Sequence, residues 1–236
     1  NSLNDVLSYP VDQSKQSLVT KQSNVYNIRN VSFSYEHQEI PTLSNINLTV
    51  GKGEKVAIVG PSGSGKSTLL QIMSGLYDID KGQVSLDGQN ISQLDEDIRF
   101  EKLNVLLQSQ QLFDGTLRYN MFSSKNDDVI QRVLTSLNLG YLDLEKTITL
   151  DGNTLSGGEV QRIALGRLFI KGSSIWLLDE PTTALDEDNT KQVMQLIDEQ
   201  VETLVIATHD LKLLPYFDKI VVLIDGQIRE QGSYDE

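Results

Sequence analysis

The sequence predicts an α/β fold built on a largely parallel sheet covered by helices on both faces, and three observations lead there. A short apolar run, Lys55-Val56-Ala57-Ile58-Val59, ends in a glycine-rich loop that opens a helix-like stretch. From Ser156 onward helical and strand patterns alternate, the order expected of parallel strands joined by helical crossovers. A chain of 236 residues, 39% of them hydrophobic, is long enough to bury one proper core, with a smaller lobe at most.

Residues 1–23 are polar, rich in Ser, Asn and Gln, and read as a linker or arm, so the folded domain is expected to run over 24–236. Val25 to Phe33 alternates apolar and polar residues as a half-buried strand does. Leu43 to Val50 repeats the pattern through Ile46, Leu48 and Val50 before a Gly51-Lys52-Gly53 turn. After the glycine-rich loop a helix is expected over Lys66 to Ser74, with Gly75 as its stop. Between about Asp87 and Thr154 lie short strand candidates and a helix around Asp127 to Leu137, on which Val129, Val133, Leu134 and Leu137 share a face. This stretch reads as a separate helical lobe. Beyond Ser156 the order is helix, strand Ile175–Leu178, helix Asn189–Val201, strand Leu204–Ala207, a further helix, and strand Ile220–Leu223.

Composition removes several function classes. With no cysteine, disulfides, zinc-thiolate sites and thiol nucleophiles are excluded. No window approaches the eighteen or so apolar residues of a membrane-spanning helix, and the N-terminus lacks a secretion-signal pattern, so the chain reads as soluble and not secreted. A net charge of -13 with no run of Lys and Arg repels a phosphate backbone, so nucleic acid is not an expected partner. The chain starts at Asn1 rather than Met and stops at Glu236, which reads as a piece of a longer polypeptide.

Gly60-Pro61-Ser62-Gly63-Ser64-Gly65-Lys66-Ser67-Thr68 satisfies the phosphate-loop pattern between a strand and a helix. Glycines let backbone N–H groups curl around phosphates, and the helix N-terminus adds partial positive charge. Lys66 is positioned to reach the outer phosphates of ATP, and Ser67 to offer a hydroxyl to Mg2+. Ser174-Ile175-Trp176-Leu177-Leu178-Asp179-Glu180 is an apolar strand ending in two carboxylates, at the sheet edge where ligands of such folds bind. Asp179 is the candidate magnesium ligand and Glu180 the candidate base for the attacking water; an acidic pair after a strand also fits a surface turn or a helix cap. Trp176 reads as core.

Leu155-Ser156-Gly157-Gly158-Glu159, ahead of a helix and upstream of the carboxylates, resembles the signature motif of ABC ATPases, a branch of the phosphate-loop NTPases. The resemblance extends from about Asn24 to Ser233. It implies an antiparallel β portion carrying Tyr35, whose ring face stacks on adenine, and a helical lobe bearing the signature. It implies that Gln108 touches magnesium and links the nucleotide to a transmembrane partner, that Ala184-Leu185-Asp186 crosses between subunits, and that His209 is the switch histidine near the terminal phosphate. Ser156, Gly157 and Gly158 would meet ATP held by a second nucleotide-binding domain, identical or related.

Within the family, Gln111-Leu112-Phe113-Asp114-Gly115-Thr116-Leu117-Arg118-Tyr119-Asn120 and the polar arm resemble exporters whose membrane domain precedes this one in the same parent chain. The implied location is the cytoplasmic side of a membrane. The last segment and the Glu159 ending also resemble exporters of cysteine and glutathione that serve cytochrome bd assembly. Two departures stand out: Glu159 where the family more often has glutamine, and Thr149 to Thr154, which matches an exporter pattern only in part. A non-transporting ABC-type ATPase of DNA repair, chromosome maintenance or translation would show a long coiled-coil insertion or tandem ATPase domains, and neither is visible. A non-hydrolysing regulatory domain would not need Glu180 and His209.

Overall fold

The computed structural model describes residues 11–12, 23–108, 112–149 and 155–234. In chain order, β1 is Val11–Asp12, β2 Asn24–Phe33, β3 Leu43–Gly51 and β4 Lys55–Val59, followed by α1, Lys66–Met73. Next come β5 (Lys81–Leu86), β6 (Gln89–Asn90), α2 (Glu96–Lys102), β7 (Leu103–Leu106), β8 (Gly115–Thr116), α3 (Leu117–Asn120), α4 (Asp127–Ser136) and β9 (Thr147–Ile148). The last third holds α5 (Gly157–Lys171), β10 (Ile175–Asp179), α6 (Glu187–Gln200), β11 (Thr203–Thr208), β12 (Lys219–Ile224) and β13 (Gln227–Tyr234).

Seven strands form the main sheet in the order β1-β13-β12-β4-β11-β10-β7. The run from β12 to β7 is parallel, and β13 and β1 close one edge antiparallel. A second, antiparallel sheet has the order β3-β2-β5-β6.

Strand alternation explains why the central strands are apolar throughout. On β4, Val56 and Ile58 enter one hydrophobic cluster while Ala57 and Val59 enter another, and Leu177 and Leu178 of β10 divide in the same way. The first cluster adds β2, β3 and the α1 residues Leu69, Leu70 and Met73. The second adds the helical lobe through Ile130, Leu134, Ile163 and Leu165, and α6 through Val193 and Ile197. Trp176 is core, edge-on to Phe169 at 4.8 Å, with its indole N–H donated to the Ser173 carbonyl.

Two expectations are corrected. On α4 the buried side chains are Ile130 and Leu134, with Leu137 just beyond; Val129 and Val133 are only half-buried, Val133 still packing against the same cluster beside Gly166 of α5. The helix expected after β11 is a 3-10 turn, Leu211–Tyr216, containing Pro215, whose missing N–H suits a short tight turn better than an α-helix. Within the stretch read as an arm, Val11 and Asp12 pair with Tyr234 and Ser233. The rest of residues 1–22, Gln111 and residues 150–154 lie outside the described residues.

Candidate functional site

Parallel register brings the reactive loops to one end of the main sheet. Val59 pairs with Thr208, and Ala207 with Asp179, so the phosphate loop after β4, the carboxylates after β10 and His209 after β11 leave neighbouring strands together. Gly60 opens the loop at φ 156°, and a Cβ there would stand 2.0 Å from the Leu223 carbonyl oxygen. No other residue fits that approach.

Gly65, at φ 101°, caps α1 without supplying a side chain, and the first turn of α1 holds no acidic residue. The helix therefore offers its leading N–H groups to an external anion. The Lys66 ammonium folds back onto the loop and donates to the Gly60 and Pro61 carbonyls at 2.7 and 2.9 Å. Burial lowers its pKa, while Glu180 and Asp179 pull it up. Ser64 Oγ is buried with no hydrogen-bond partner among the described residues.

The Ser67 hydroxyl bonds the Asp179 carboxylate, placing the two candidate magnesium ligands side by side. Burial raises the Asp179 carboxyl, the bond from Ser67 lowers it, and the Glu180 charge raises it further. Glu180 has φ 49°, a left-handed backbone that costs a non-glycine residue about 1–3 kcal/mol and is characteristic of functional sites. Its N–H donates to the Ala207 carbonyl at 2.9 Å, and its own carbonyl accepts the Gln161 amide at 2.9 Å. The Glu180 carboxylate accepts the His209 backbone N–H at 3.0 Å, lies 2.7 Å from His209 Nδ1, and accepts the Thr208 hydroxyl at 3.3 Å. The Glu180 side chain is 12% exposed and that of His209 67%, so the acid is sheltered and the imidazole faces solvent. Gly60, Pro61, Glu180 and His209 line one cleft of about 710 Å³.

Tyr35 is half-buried, edge-on to Phe33 at 5.0 Å and to Tyr77 at 5.7 Å. Its hydroxyl reaches Thr68 Oγ1 at 2.9 Å and donates to Gln71 at 3.1 Å, which ties it to α1. Gln108 is exposed, two residues beyond β7, the neighbour of β10, and so stands at the same sheet end as Asp179. Ser62 and Gly63 are exposed at the loop crest, and Thr68 is buried behind it.

Ser156, Gly157 and Gly158 do not join this cleft. They open α5 against the following loop: a Cβ on Gly158 would meet the Ala184 carbonyl oxygen at 2.9 Å, and one on Gly157 the Ala184 Cβ at 3.6 Å. Gln161 spans that contact, its amide N–H on the Glu180 carbonyl and its Oε1 accepting the Ala184 N–H at 3.0 Å. Sequence reading did not single out Gln161 or Thr208. Gln161 acts on backbone groups and Thr208 on the Glu180 carboxylate, contacts that only the tertiary fold brings together.

Among the described residues, no group of three or more His, Asp or Glu side chains is placed to hold a metal unaided. The donor set of Ser67 and Asp179 beside a phosphate loop instead suits a hard cation that takes the rest of its oxygen ligands from phosphate and water.

The family model described as ABC transporter matches residues 43–183. The chain is 36% identical over 220 residues to the glutathione/L-cysteine transport system ATP-binding/permease protein CydC of Haemophilus influenzae, covering 88% of this chain and 38% of that protein. It is 38% identical over 218 residues to the mitochondrial iron-sulfur clusters transporter ATM1 of Candida albicans, covering 87% and 29%. It thus spans well under half of these curated relatives. Among solved structures, a bacterial Atm1-family ABC exporter with ATP bound superposes with TM-score 0.83 at 28% identity, covering 95% of this chain and 41% of that one. The dimeric, post-hydrolysis ATP-binding cassette MJ0796 bound to ADP and Pi superposes with TM-score 0.78 at 29% identity, covering 89% and 99%.

Proposed function

Because the chain belongs to the ABC transporter family, we propose that it binds ATP at the Gly60–Thr68 loop, hydrolyses it with Glu180, and couples the cycle to export by a membrane domain. One observation carries this reading: the uncapped α1, with Lys66 folded back onto the Gly60 and Pro61 carbonyls and within reach of the Glu180 and Asp179 charges, stands at the same sheet end as the strained, His209-bonded Glu180. Swinging Lys66 from the loop carbonyls to the outer phosphates exchanges two neutral acceptors for an anion, a stronger bond. Glu180, sheltered and aimed by Thr208 and His209, orients a water and takes its proton. Ser67, Asp179 and Gln108 would hold magnesium, whose charge, when bound, offsets that developing on the phosphates. Tyr35 would stack on the adenine.

In this reading Ser156, Gly157 and Gly158 complete the site of a second domain, identical or related, which accounts for their absence from the lining of the cleft. The membrane domain of the same parent chain docks in a groove of about 570 Å³ lined by Phe100, Met121, Phe122, Arg167 and Lys171. Arg167 lies over the Phe122 ring at 4.3 Å and Lys171 over Phe100 at 3.9 Å, so the groove offers apolar faces backed by positive charge. Residues 24–236 would then form the nucleotide-binding domain at the cytoplasmic side of the membrane. The two relatives' names differ in cargo, glutathione and cysteine for one and iron-sulfur clusters for the other, so the shared element is the drive rather than the substrate.

The test is calorimetric titration with magnesium-ATP. Lys66→Ala removes a charge-assisted contact of about 1.5–3 kcal/mol and should weaken affinity about tenfold to a hundredfold. Unchanged affinity would refute the site.

A further inference from the structure

Glu159, the residue at which the signature departs from glutamine, has a defined geometry. It is the third residue of α5. Its Oε1 accepts the Ser156 backbone N–H at 2.9 Å, and its own N–H donates to Ser156 Oγ at 3.2 Å, a reciprocal cap. Oε2 accepts the Tyr141 hydroxyl at 2.8 Å. Partial burial works against ionisation of Glu159, yet the bonds from Ser156 and Tyr141 and the nearby Arg162 hold its carboxyl below the usual range. Arg162 directs its own N–H groups to the Gly158 and Leu137 carbonyls and to Asn189, so it attenuates the carboxylate through space.

A full negative charge therefore stands at the positive end of a fifteen-residue helix, one turn from the groups assigned above to the partner's ATP. Glutamine could make the same reciprocal cap with no charge.

We propose that Glu159 restrains ATP-driven pairing: its carboxylate fills the anion-attracting end of α5 and opposes the terminal phosphate brought by the other subunit, while Tyr141 moderates that charge. The inference rests on the reading that Ser156 and its glycines meet ATP across an interface. A charge at a helix end changes an equilibrium by about threefold. A symmetric pair contains two such sites, so Glu159→Gln should dimerise about tenfold more tightly.

The measurement is sedimentation equilibrium of the chain in magnesium-ATP, in a Glu180→Gln background, at low salt and at about 1 M salt, where the screening length falls to about 3 Å. Glu159→Gln should strengthen the dimer at low salt, with the gain shrinking at high salt. Tyr141→Phe should weaken it when Glu159 is present and have no effect once Glu159→Gln is in place. Equal or weaker pairing of Glu159→Gln with unchanged helix content, or a gain indifferent to salt, overturns the inference alone, since the background protein still pairs. Absence of an ATP-dependent dimer in every variant overturns the cross-interface reading and the inference with it.

Discussion

Glu180 shows how much a single position can be asked to do. Its left-handed backbone is held from both sides by Ala207 and Gln161, and its carboxylate is aimed by Thr208 and His209. Gln has nearly the same volume and its Oε1 can still accept the His209 backbone N–H, but its NH2 cannot accept the Thr208 hydroxyl and the side chain cannot take a proton. Glu180→Gln should therefore bind ATP normally and turn it over on the order of a hundredfold more slowly, read as steady-state phosphate release against a binding isotherm. Tyr35 calls for a revised expectation. Sequence alone values its ring face, yet the hydroxyl has two partners on α1. Tyr35→Phe should keep the stacking surface but lose about 1 kcal/mol of folding stability, visible in urea denaturation, while Tyr35→Ala should weaken ATP binding as well. The loop, Asp179 and Glu180 were legible because their chemistry is local: glycines, a lysine and carboxylates at fixed offsets from apolar strands. Gln161 was not, since an amide inside a helix carries no signal until the fold sets it between two loops.

At the scale of elements, β4 and β10 could be read from sequence because burial on both faces leaves an uninterrupted apolar run. The β13 strand could not, since Gln227–Tyr234 is at most half-buried and owes its conformation to pairing with β12. A signal for it was present nonetheless: Asp225 and Gly226, both at positive φ, form the Asp-Gly turn that favours a two-residue hairpin. The start of α5 offers a sharper test. Gly157 and Gly158 look alike in sequence, but only at Gly158 would a methyl press on backbone, the Ala184 carbonyl. Gly158→Ala should cost about 1–3 kcal/mol and lower the melting temperature by several degrees, whereas Gly157→Ala should leave it nearly unchanged. Equal shifts in a thermal scan would mean that α5 and the Ala184 loop are not in firm contact.

In the proposed cycle the nucleotide chemistry is divided between two surfaces, the loop and carboxylates around Lys66 and the N-terminus of α5, and neither would be complete alone. If the second surface serves a neighbour, the Glu180→Gln protein should elute as a dimer in magnesium-ATP at high concentration and return to monomer when a chelator is added. A net charge of -13 opposes that association over long range, so the dimer should strengthen with moderate salt until screening is complete. The two-residue strand β1 has a consequence of another kind. By pairing Val11 and Asp12 with Tyr234 and Ser233 it covers part of the outer rim of the main sheet, where β13 would otherwise present free donors and acceptors to any passing chain. Removing residues 1–12 should leave ATP binding intact but make the protein more prone to aggregate on storage, read as light scattering over time.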